Sequence, residues 1–412
     1  MRVKIAGVAV AAALALAVSG CGSSDDKADD GAKGSEPGLV IWADDKRAPV
    51  LESFRSQFES ELGVTIKIEA VSKDLQANFV TASQGDNAPD VVIGAHDWIG
   101  NLVQNGAIDP VQLTDAQKAG FNADALKAVT YNGQVYGAPY AVENLALIRN
   151  TELAPEAPSS IEDMVADAEK LKKDGKTEEL LSLQVGDNGD AYHAYPLYAS
   201  AGGYLFGQKD NGDYDPADLG VGKPESITAF EKISELGKKG VLKTSIGSEN
   251  SIPLFTEGKT AYLVSGPWAL TDVKKAGVKY DISPIPGFEG MGKATPFLGV
   301  QSFFVASKGK HKTVAQEFVA NYVTAEPLAT ALYNADPRPP ALTASFDKVK
   351  ATDPDLAKFA EAGAGAPPLP AIPEMSAIWD PFGKAESAIV GGADVKDTVE
   401  GAATTIGDAI KK

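Results

Sequence analysis

The sequence predicts an α/β fold with two lobes and largely parallel sheets. The chain has 412 residues, whereas a single hydrophobic core rarely organises more than about 250–300 residues. From residue 39 onward, short apolar runs alternate with segments of helical spacing, which is typical of strands joined by helices. A hydrophobic content of 44% with 23% charged residues is enough to build a sizeable core in each lobe.

The first elements follow this alternation. The apolar run at residues 39–42 predicts a buried strand, and apolar residues at four-residue spacing over 50–62 predict the helix after it. Alternating apolar residues over 64–68 and the run at 90–93 predict two further strands. Strand, helix and strand in this order form the βαβ unit of an α/β sheet.

Turn and capping signals place the next elements. Asn132-Gly133 between alternating apolar residues predicts a hairpin. Ser159 and Glu162 have the spacing of a capping box, so a helix should begin here and end near residues 174–175.

The second half of the chain continues the alternation. A helical face over 227–236 should stop at Gly237 and Gly240, and residues 261–264 and 301–306 predict strands. Residues 314–322 show the spacing of one more helix.

The N-terminus has the pattern of a secretory signal over residues 1–20, in which Arg2 and Lys4 precede an apolar stretch that ends in small residues. A membrane-spanning helix is the alternative, although a span usually needs about 20 apolar residues. Cys21 follows Val-Ser-Gly, which resembles the lipobox where the cysteine is acylated and becomes the new N-terminus; the alternative is a free thiol. Residues 21–38 should then be a lipidated, flexible tether.

Charge and motifs exclude several classes of function. A net charge of −18 and a pI near 4.7, without a basic cluster, argue against a nucleic-acid partner. The sequence has no Walker loop, nucleophile elbow or His-Glu-x-x-His motif, so it offers no catalytic residue and no cofactor. The three histidines are far apart and the acids at 210–215 are out of register with an EF-hand, so we expect no metal.

Polar and aromatic residues follow two of the predicted strands. Asp45 and Lys46 come after the first strand, and Asp97 and Trp98 come after a later one. Ligands of open α/β sheets bind in the crevice beyond the carboxyl ends of the strands. Carboxylates and ammonium groups pair with sugar hydroxyls and aromatic rings cover the less polar sugar faces, so this combination suits a carbohydrate.

Several segments, in one order, resemble the maltose/maltodextrin-binding proteins of ABC importers. They are LVIWADDK at 39–46, APDVVIGAHD at 88–97, YNGQVYGAPYAVENLALI at 131–148, GGY at 202–204, SGPW at 265–268, FLGV at 297–300 and IPEMSAIW at 372–379. The resemblance runs from about residue 39 nearly to the C-terminus.

The resemblance implies a two-lobed, periplasmic-binding-protein-like α/β fold with a hinge and a ligand cleft between the lobes. The N-terminal lobe would comprise residues 39–142 and 286–335, and the C-terminal lobe residues 146–282 and 338–412. Crossovers at 142–145, 283–287 and 335–338 would form the hinge that closes around the ligand.

The resemblance also assigns the ligand-binding residues. Asp45, Lys46, Asp97 and Glu143 would contact sugar hydroxyls. Tyr192, Trp268 and Trp379 match the family's stacking or contacting aromatics, and Lys73 is a further match. Without the resemblance, each tryptophan would be assigned to the core and each carboxylate to the surface.

The chain departs from the family pattern at three positions. Gly94 stands where the family has a sugar-contacting tryptophan, Trp98 where an arginine usually follows, and Asp380 where an aromatic often follows Trp379. Trp98 would restore the missing aromatic face, or the site would favour a longer or modified glucan such as an acarbose-like oligosaccharide. The loop at 184–191 is longer than usual, so it supplies Asp190 or no acid.

The resemblance implies a monomeric, non-enzymatic lipoprotein, anchored at Cys21 to the outer face of the cell membrane, that delivers malto-oligosaccharide to the permease subunits of an ABC importer. Two alternatives stay open. The ligand could be a different sugar, a peptide or a polyol, because fold does not determine ligand. In the other alternative, Asp97 and Glu143 would be the acid and base or nucleophile of a secreted glycoside hydrolase.

Overall fold

The computed structural model describes residues 37–85, 87–210 and 212–411. The predicted signal peptide, the acylation site at Cys21 and nearly all of the predicted tether lie outside these residues. Among the described helices, none combines the length and apolar character needed to cross a bilayer.

Strands and helices alternate through most of the described chain. The strands are β1 (Leu39–Ala43), β2 (Ile66–Ala70), β3 (Val91–Ala95), β4 (Ile108–Asp109), β5 (Thr130–Tyr131), β6 (Gln134–Val135), β7 (Gly137–Glu143), β8 (Ala146–Asn150), β9 (Ser182–Leu183), β10 (Phe206–Gln208), β11 (Tyr214–Leu219), β12 (Tyr262–Ser265), β13 (Tyr280–Ser283) and β14 (Gly299–Ala306). The α-helices are α1 (Arg47–Leu62), α2 (Leu75–Ser83), α3 (Ile99–Gln104), α4 (Asp115–Ala119), α5 (Ala123–Ala128), α6 (Ile161–Lys173), α7 (Ala191–Ser200), α8 (Pro224–Lys238), α9 (Ser251–Thr256), α10 (Leu270–Lys275), α11 (Lys312–Phe318), α12 (Glu326–Ala335), α13 (Thr343–Lys350), α14 (Pro354–Ala362), α15 (Trp379–Val390) and α16 (Val395–Ile410). Three 3₁₀ turns at His96–Trp98, Pro267–Ala269 and Pro373–Ala377 and a π-helix at Val319–Val323 complete the set.

Lobe 1 is built on a six-stranded mixed sheet. Its order is β2-β1-β3-β14-β4, with β7 also paired to β14. β1 runs parallel to β2 and β3, whereas β14 is antiparallel to β3, β4 and β7. Phe58, Phe303 and Phe318 are fully buried in its core, where the ring of Phe58 meets that of Phe318 edge-on. The prediction of a largely parallel sheet therefore holds only for the β2-β1-β3 part.

Lobe 2 is built on a four-stranded sheet in the order β13-β8-β12-β9. Only β9 and β12 are parallel, because β8 is antiparallel to both β12 and β13. For lobe 2 the prediction of a largely parallel sheet is wrong. Helices α7, α8 and α15 pack together beside it, and Tyr198, Phe230 and Phe382 form an aromatic cluster at their centre.

The chain passes between the two sheets more than once. It leaves lobe 1 at the end of β7 and enters lobe 2 at the start of β8, across residues 144–145. Ile285, Phe288 and Phe297 still pack in the lobe 2 core, so we propose that the return crossing lies nearer β14 than the predicted residues 283–287. Pro340 bridges to β7 of lobe 1, so we propose that the third crossing follows it rather than falling at 335–338.

Local signals were accurate where a specific backbone geometry is required. β5 and β6 form the predicted hairpin, and Asn132 and Gly133 both adopt positive φ angles, of 49° and 76°. α6 ends at Lys173 as expected, but its N-cap is Ser160, whose hydroxyl accepts the backbone N–H of Asp163. The predicted capping box at Ser159 is therefore wrong by one residue, because the neighbouring serine takes the capping role.

Candidate functional site

The two lobes each end a central strand in a 3₁₀ turn that carries a tryptophan. In lobe 1 the turn His96–Trp98 follows β3, and in lobe 2 the turn Pro267–Ala269 follows β12. A glycine precedes the tryptophan in both. A methyl group added at Gly94 would lie 2.1 Å from the Trp98 ring, and one added at Gly266 would lie 2.0 Å from the Trp268 ring. Each indole therefore occupies the space that a side chain at the glycine would need.

His96 fixes the first of these turns. Its Nδ1 accepts the backbone N–H of Val300, at 3.1 Å, and its Nε2 lies 3.0 Å from the carbonyl oxygen of Leu369. Burial lowers the pKa of His96 to about 4, so the ring is neutral near pH 7, with one nitrogen accepting and the other donating. A structural role therefore accounts for His96, which holds its neighbour Asp97 in place.

Glu143, at the end of β7, is buried and fully engaged by its neighbours. Gln301 donates from Nε2 to its Oε1 at 2.9 Å, and Arg338 forms an ion pair with its Oε2. Burial opposes the charge of this carboxyl, but Arg338 and the hydrogen bond from Gln301 outweigh that effect and lower the pKa of Glu143. Glu143 is therefore ionised at neutral pH.

Asp97 lies in a different environment a short distance away. Burial raises its pKa to about 7, with a contribution from the negative charge of Glu143. Hydrogen bonds from its own backbone N–H and from the indole of Trp379 act in the opposite direction. Asp97 belongs to lobe 1, whereas Trp379 begins α15 and packs against the lobe 2 core. This contact therefore joins the two lobes.

Aromatic side chains of lobe 2 lie beside these carboxylates. The ring centroids of Tyr192 and Trp268 are 6.5 Å apart, and the Arg338 guanidinium lies 5.1 Å from the centroid of the Trp268 ring. Glu143, Arg338 and Asp97 all act electrostatically on the Tyr192 hydroxyl. That hydroxyl is buried and has no hydrogen-bond partner within the described part of the chain. A buried hydroxyl without a partner is costly, so the Tyr192 hydroxyl is free to bond to water or to a ligand.

We call Asp97, Glu143, Tyr192, Trp268, Arg338 and Trp379 the central cluster. Lys46 lies at its edge: partial burial lowers the pKa of Lys46, and the positive charges of Arg338 and Arg47 add to this effect. Asp272 of lobe 2 acts on the same ammonium group in the opposite direction. Lys46 is thus a lobe 1 cation within electrostatic range of lobe 2.

Not every predicted ligand-binding residue joins the central cluster. Asp45 and Lys73 are exposed, and their side chains make no hydrogen bond or ion pair with any other described residue. Trp98 packs on Gly94 and against the lobe 1 core. Asp190 turns inward, where His193 and Gln184 hold its carboxylate. The ligand contacts assigned to these residues, and those assigned to the members of the central cluster, stay predictions.

The charges that hold the central cluster were not predicted from the sequence. Arg47 donates to the Tyr140 hydroxyl at 2.8 Å and pairs with Asp44 at 2.7 Å and with Asp336 at 2.8 Å. Asp336 also pairs with Arg338, which continues this chain of charges to Glu143. Asp44, and not its neighbour Asp45, is the acid that orients this network. Asp44 is only three residues from Arg47, but the other partners lie far away along the chain, so local sequence does not reveal the network.

The central cluster combines polar and aromatic groups and, among the described residues, has no metal-binding geometry. Across the described residues, no group of three or more His, Cys, Asp or Glu side chains could hold a metal ion. The cluster does supply aromatic faces, charged acceptors and donors, and the Tyr192 hydroxyl, all within one region formed by both lobes. These groups suit a ligand with many hydroxyls and weakly polar faces.

Comparison with known proteins agrees with this fold. Residues 54–358 match the family model described as bacterial extracellular solute-binding protein. The chain is 30% identical to a maltooligosaccharide ABC transporter solute-binding lipoprotein of Streptococcus pneumoniae serotype 4, over 99% of this chain and 97% of that one. It is 29% identical to a galactooligosaccharide-binding protein of Bacillus subtilis, over 97% and 96%. A maltodextrin-binding protein of Bacillus subtilis is 30% identical, over 98% and 97%. The chain therefore belongs to the bacterial extracellular solute-binding proteins.

Proposed function

We propose that this protein captures a malto-oligosaccharide at the central cluster and delivers it to the permease of an ABC importer. The observation that carries the proposal is the position of Trp268 and Tyr192 beside Asp97 and Glu143, with contributions from both lobes. A ligand bound there would contact both lobes at once and would favour the closed arrangement through a hinge motion.

The chemistry of the cluster suits a glucan. A pyranose ring presents a weakly polar face of C–H groups that can lie on an indole, while its hydroxyls need donors and acceptors around the rim. Trp268 and Trp379 supply the aromatic faces, and Asp97, Lys46 and the Tyr192 hydroxyl supply the polar groups. A peptide would instead call for an exposed strand edge or a pocket for a charged terminus.

The relatives support the same ligand class. Two of the three named above bind maltooligosaccharide or maltodextrin according to their names, and one of those is called a lipoprotein. We therefore extend to this chain a lipid anchor at Cys21, which would hold the protein on the outer face of the cell membrane. The galactooligosaccharide-binding relative makes a galactose-containing oligosaccharide the second candidate ligand.

The carboxyl pair of the cluster makes hydrolysis the other outcome to test. Asp97 has a raised pKa and Glu143 a lowered one, as the acid and the nucleophile of a glycosidase would. However, Gln301 and Arg338 occupy the two oxygens of Glu143, one each. Its carboxylate is therefore committed to protein contacts rather than to a reacting carbon.

The test is isothermal titration of the chain from residue 22 onward with maltose, maltotriose, maltohexaose and a galactooligosaccharide. We expect saturable binding of maltotriose with a Kd of about 1 μM, which corresponds to about −8 kcal/mol. Recovery of the sugar followed by chromatography checks that it is unchanged.

Each result decides between the candidates. Tighter binding of the galactooligosaccharide would replace the glucan by the second candidate, and cleavage of the sugar would replace capture by hydrolysis. Absence of binding to every oligosaccharide would refute the proposed ligand class.

A further inference from the structure

A buried carboxyl group lies behind the aromatic side of the central cluster. Glu386 is on α15, seven residues after Trp379, and is completely buried. Its Oε2 accepts the backbone N–H of Asp190 at 2.6 Å, while its Oε1 has no hydrogen-bond partner among the described residues. A fully buried carboxyl with a single hydrogen bond is expensive to ionise.

The contact between Glu386 and Asp190 belongs to a tight junction of two elements. Gly189 has a φ of +73°, and a methyl group added there would lie 1.7 Å from the carbonyl oxygen of Gly383. Only glycine permits this approach of the segment before α7 to α15. The junction therefore links the helix that carries Tyr192 to the helix that begins with Trp379.

Asp190, which contacts Glu386 through its backbone, contacts His193 through its side chain. It is the N-cap of α7, where its Oδ1 accepts the backbone N–H of His193 at 2.9 Å and lies 3.0 Å from Nδ1 of the same ring. Gln184 donates to its other oxygen. Burial opposes the charge of Asp190, but His193 and these hydrogen bonds outweigh it and lower the pKa of this carboxyl.

His193 in turn touches the aromatic residues of the cluster. Its ring meets Trp268 edge-on at 6.2 Å and Tyr192 edge-on at 5.6 Å. An uninterrupted set of contacts thus runs from Glu386 through Asp190 and His193 to the two rings proposed to contact the ligand.

We infer that Glu386, Asp190 and His193 form a positioning relay for Trp268 and Tyr192, and that tight ligand binding requires the neutral form of Glu386. The inference deepens the proposed function and rests on it for the identity of the ligand. The three residues act through the aromatic rings and need not touch the sugar.

The position of the relay residues should depend on pH through the interaction between the carboxyl groups of Glu386 and Asp190. Burial raises the pKa of Glu386 well above its ordinary value, the hydrogen bond from Asp190 opposes this rise, and the negative charge of Asp190 adds to it. Helices α7, α8 and α16 and the 3₁₀ turn Pro373–Ala377 all pack on α15, and Asp190 is the one charged group that acts on Glu386 among the described residues. Ionised Glu386 would repel the Asp190 carboxylate and loosen its hold on His193.

The first experiment measures the Kd of maltotriose between pH 6 and pH 9.5 for the wild type, Glu386→Gln and Ser387→Ala. The glutamine keeps an acceptor for the backbone of Asp190 but cannot ionise. We expect the wild type to lose affinity at least about fivefold toward alkaline pH, the lower end of typical coupling between sites, and Glu386→Gln to lose less than half of that.

Ser387→Ala is the matched control. Ser387 neighbours Glu386 on the same helix, is also largely buried and donates to the carbonyl of Gly186 at 3.1 Å, and it forms no hydrogen bond with Asp190 among the described residues. Its pH profile should follow the wild type, even if its thermal stability falls. A wild-type alkaline loss that Glu386→Gln retains would overturn the inference, and so would an equal change of profile in Ser387→Ala.

A second readout needs no sugar and separates this inference from the proposed function. The chain has three histidines, so the ring resonance of His193 can be assigned in an NMR spectrum by its loss in His193→Gln. In the wild type it should show an alkaline inflection, absent in Glu386→Gln. Failure of maltotriose to bind while the inflection persists would refute the ligand alone. Absence of the inflection in the wild type would refute the relay.

Discussion

The two lobes reach the central cluster through the same kind of junction but bring different chemistry to it. In both, a central strand ends in a 3₁₀ turn whose tryptophan lies on a glycine, Trp98 on Gly94 in lobe 1 and Trp268 on Gly266 in lobe 2. The residue before the tryptophan differs, because it is Asp97 in lobe 1 and proline in lobe 2.

That difference extends to the surroundings. Lobe 1 surrounds its junction with charge, from Asp97 and Glu143 to Lys46. Lobe 2 surrounds Trp268 with aromatic rings from Tyr192 and its neighbour on α7. Under the proposed function, lobe 1 would supply most of the charged groups and lobe 2 the aromatic faces, so an oligosaccharide would engage both sets of groups only when the lobes are closed.

The largest expected effect is on the unfolding free energy, through the charged residues that lobe 1 brings to the central cluster. Glu143→Gln leaves Arg338 with Asp336 as its remaining carboxylate, and breaking a buried ion pair costs about 3 kcal/mol of unfolding free energy. The lowered pKa of Glu143 means that this stabilisation is present at neutral pH and is lost as the pH falls through that pKa. Urea denaturation in steps from pH 7 to pH 3 should show a large loss at pH 7 that shrinks only below the ordinary glutamate pKa of 4.5.

Glu69→Gln is the control for this measurement. Glu69 is also in lobe 1 and pairs with Lys67, but this pair is partly exposed to solvent; its other oxygen accepts the Trp42 indole N–H, a bond that glutamine can keep. Exposed pairs contribute at most about 1 kcal/mol. Equal losses in the two variants would show that the lobe 1 charges near the cluster are no different from surface charges.

The next largest effect is on the affinity for maltotriose, measured for the tryptophans of the two junctions, Trp268 and Trp98. Trp268→Ala removes the ring that Arg338 and Tyr192 contact, and we expect a loss of about 2 kcal/mol, or about 30-fold in Kd, as for a hot-spot aromatic. Trp98→Ala should cost less than half of this in binding free energy, because Trp98 packs largely on its own lobe. Titration with maltotriose measures both. A larger loss for Trp98→Ala would reverse the assignment of aromatic faces to lobe 2.

The sequence predictions were accurate for features set by neighbouring residues and failed for features set by residues far apart along the chain. The Asn132-Gly133 hairpin could be predicted because a two-residue turn needs positive φ angles at those two positions. The amphipathic face of α8, with Phe230 and Ile233 buried, likewise depends only on local spacing. Sheet direction in lobe 2 could not be predicted, because antiparallel pairing of β8 with β12 depends on residues more than a hundred positions apart.

The candidate site divides in the same way. Asp97, Glu143, Trp268 and Trp379 were predicted because short segments around them resemble a known family. Arg338 was missed as a cluster residue, since a charged residue between prolines suggests an exposed loop, and its partner Glu143 lies 195 residues away. Asp44 was passed over for its neighbour, because which of two adjacent acids faces Arg47 depends on the start of α1.

A smaller effect tests the glycines that both junctions share. Gly266→Ala and Gly94→Ala each place a methyl group where an indole ring lies. Overpacking of this kind costs about 1 kcal/mol or more, so both variants should lose stability. Only Gly266→Ala should also weaken maltotriose binding, by up to about tenfold, since it displaces the Trp268 ring. Gly401→Ala, whose added methyl group meets no atom within 4 Å, is the control.

The smallest effect concerns the protonation of Asp97, the residue that most separates the two junctions. Its pKa of about 7 means that the folded protein holds this proton more tightly than the unfolded chain does. The resulting stabilisation is fully present below the ordinary pKa of an aspartate and is lost as the pH rises through about 7. Asp97→Asn cannot titrate, so its stability relative to the wild type should rise by about 1 kcal/mol between pH 5 and pH 8, a value limited by solvent screening of a partly exposed carboxyl. Urea denaturation at the two pH values measures this difference, and an unchanged difference would mean that Asp97 is already ionised at pH 5 and contributes a fixed charge to lobe 1.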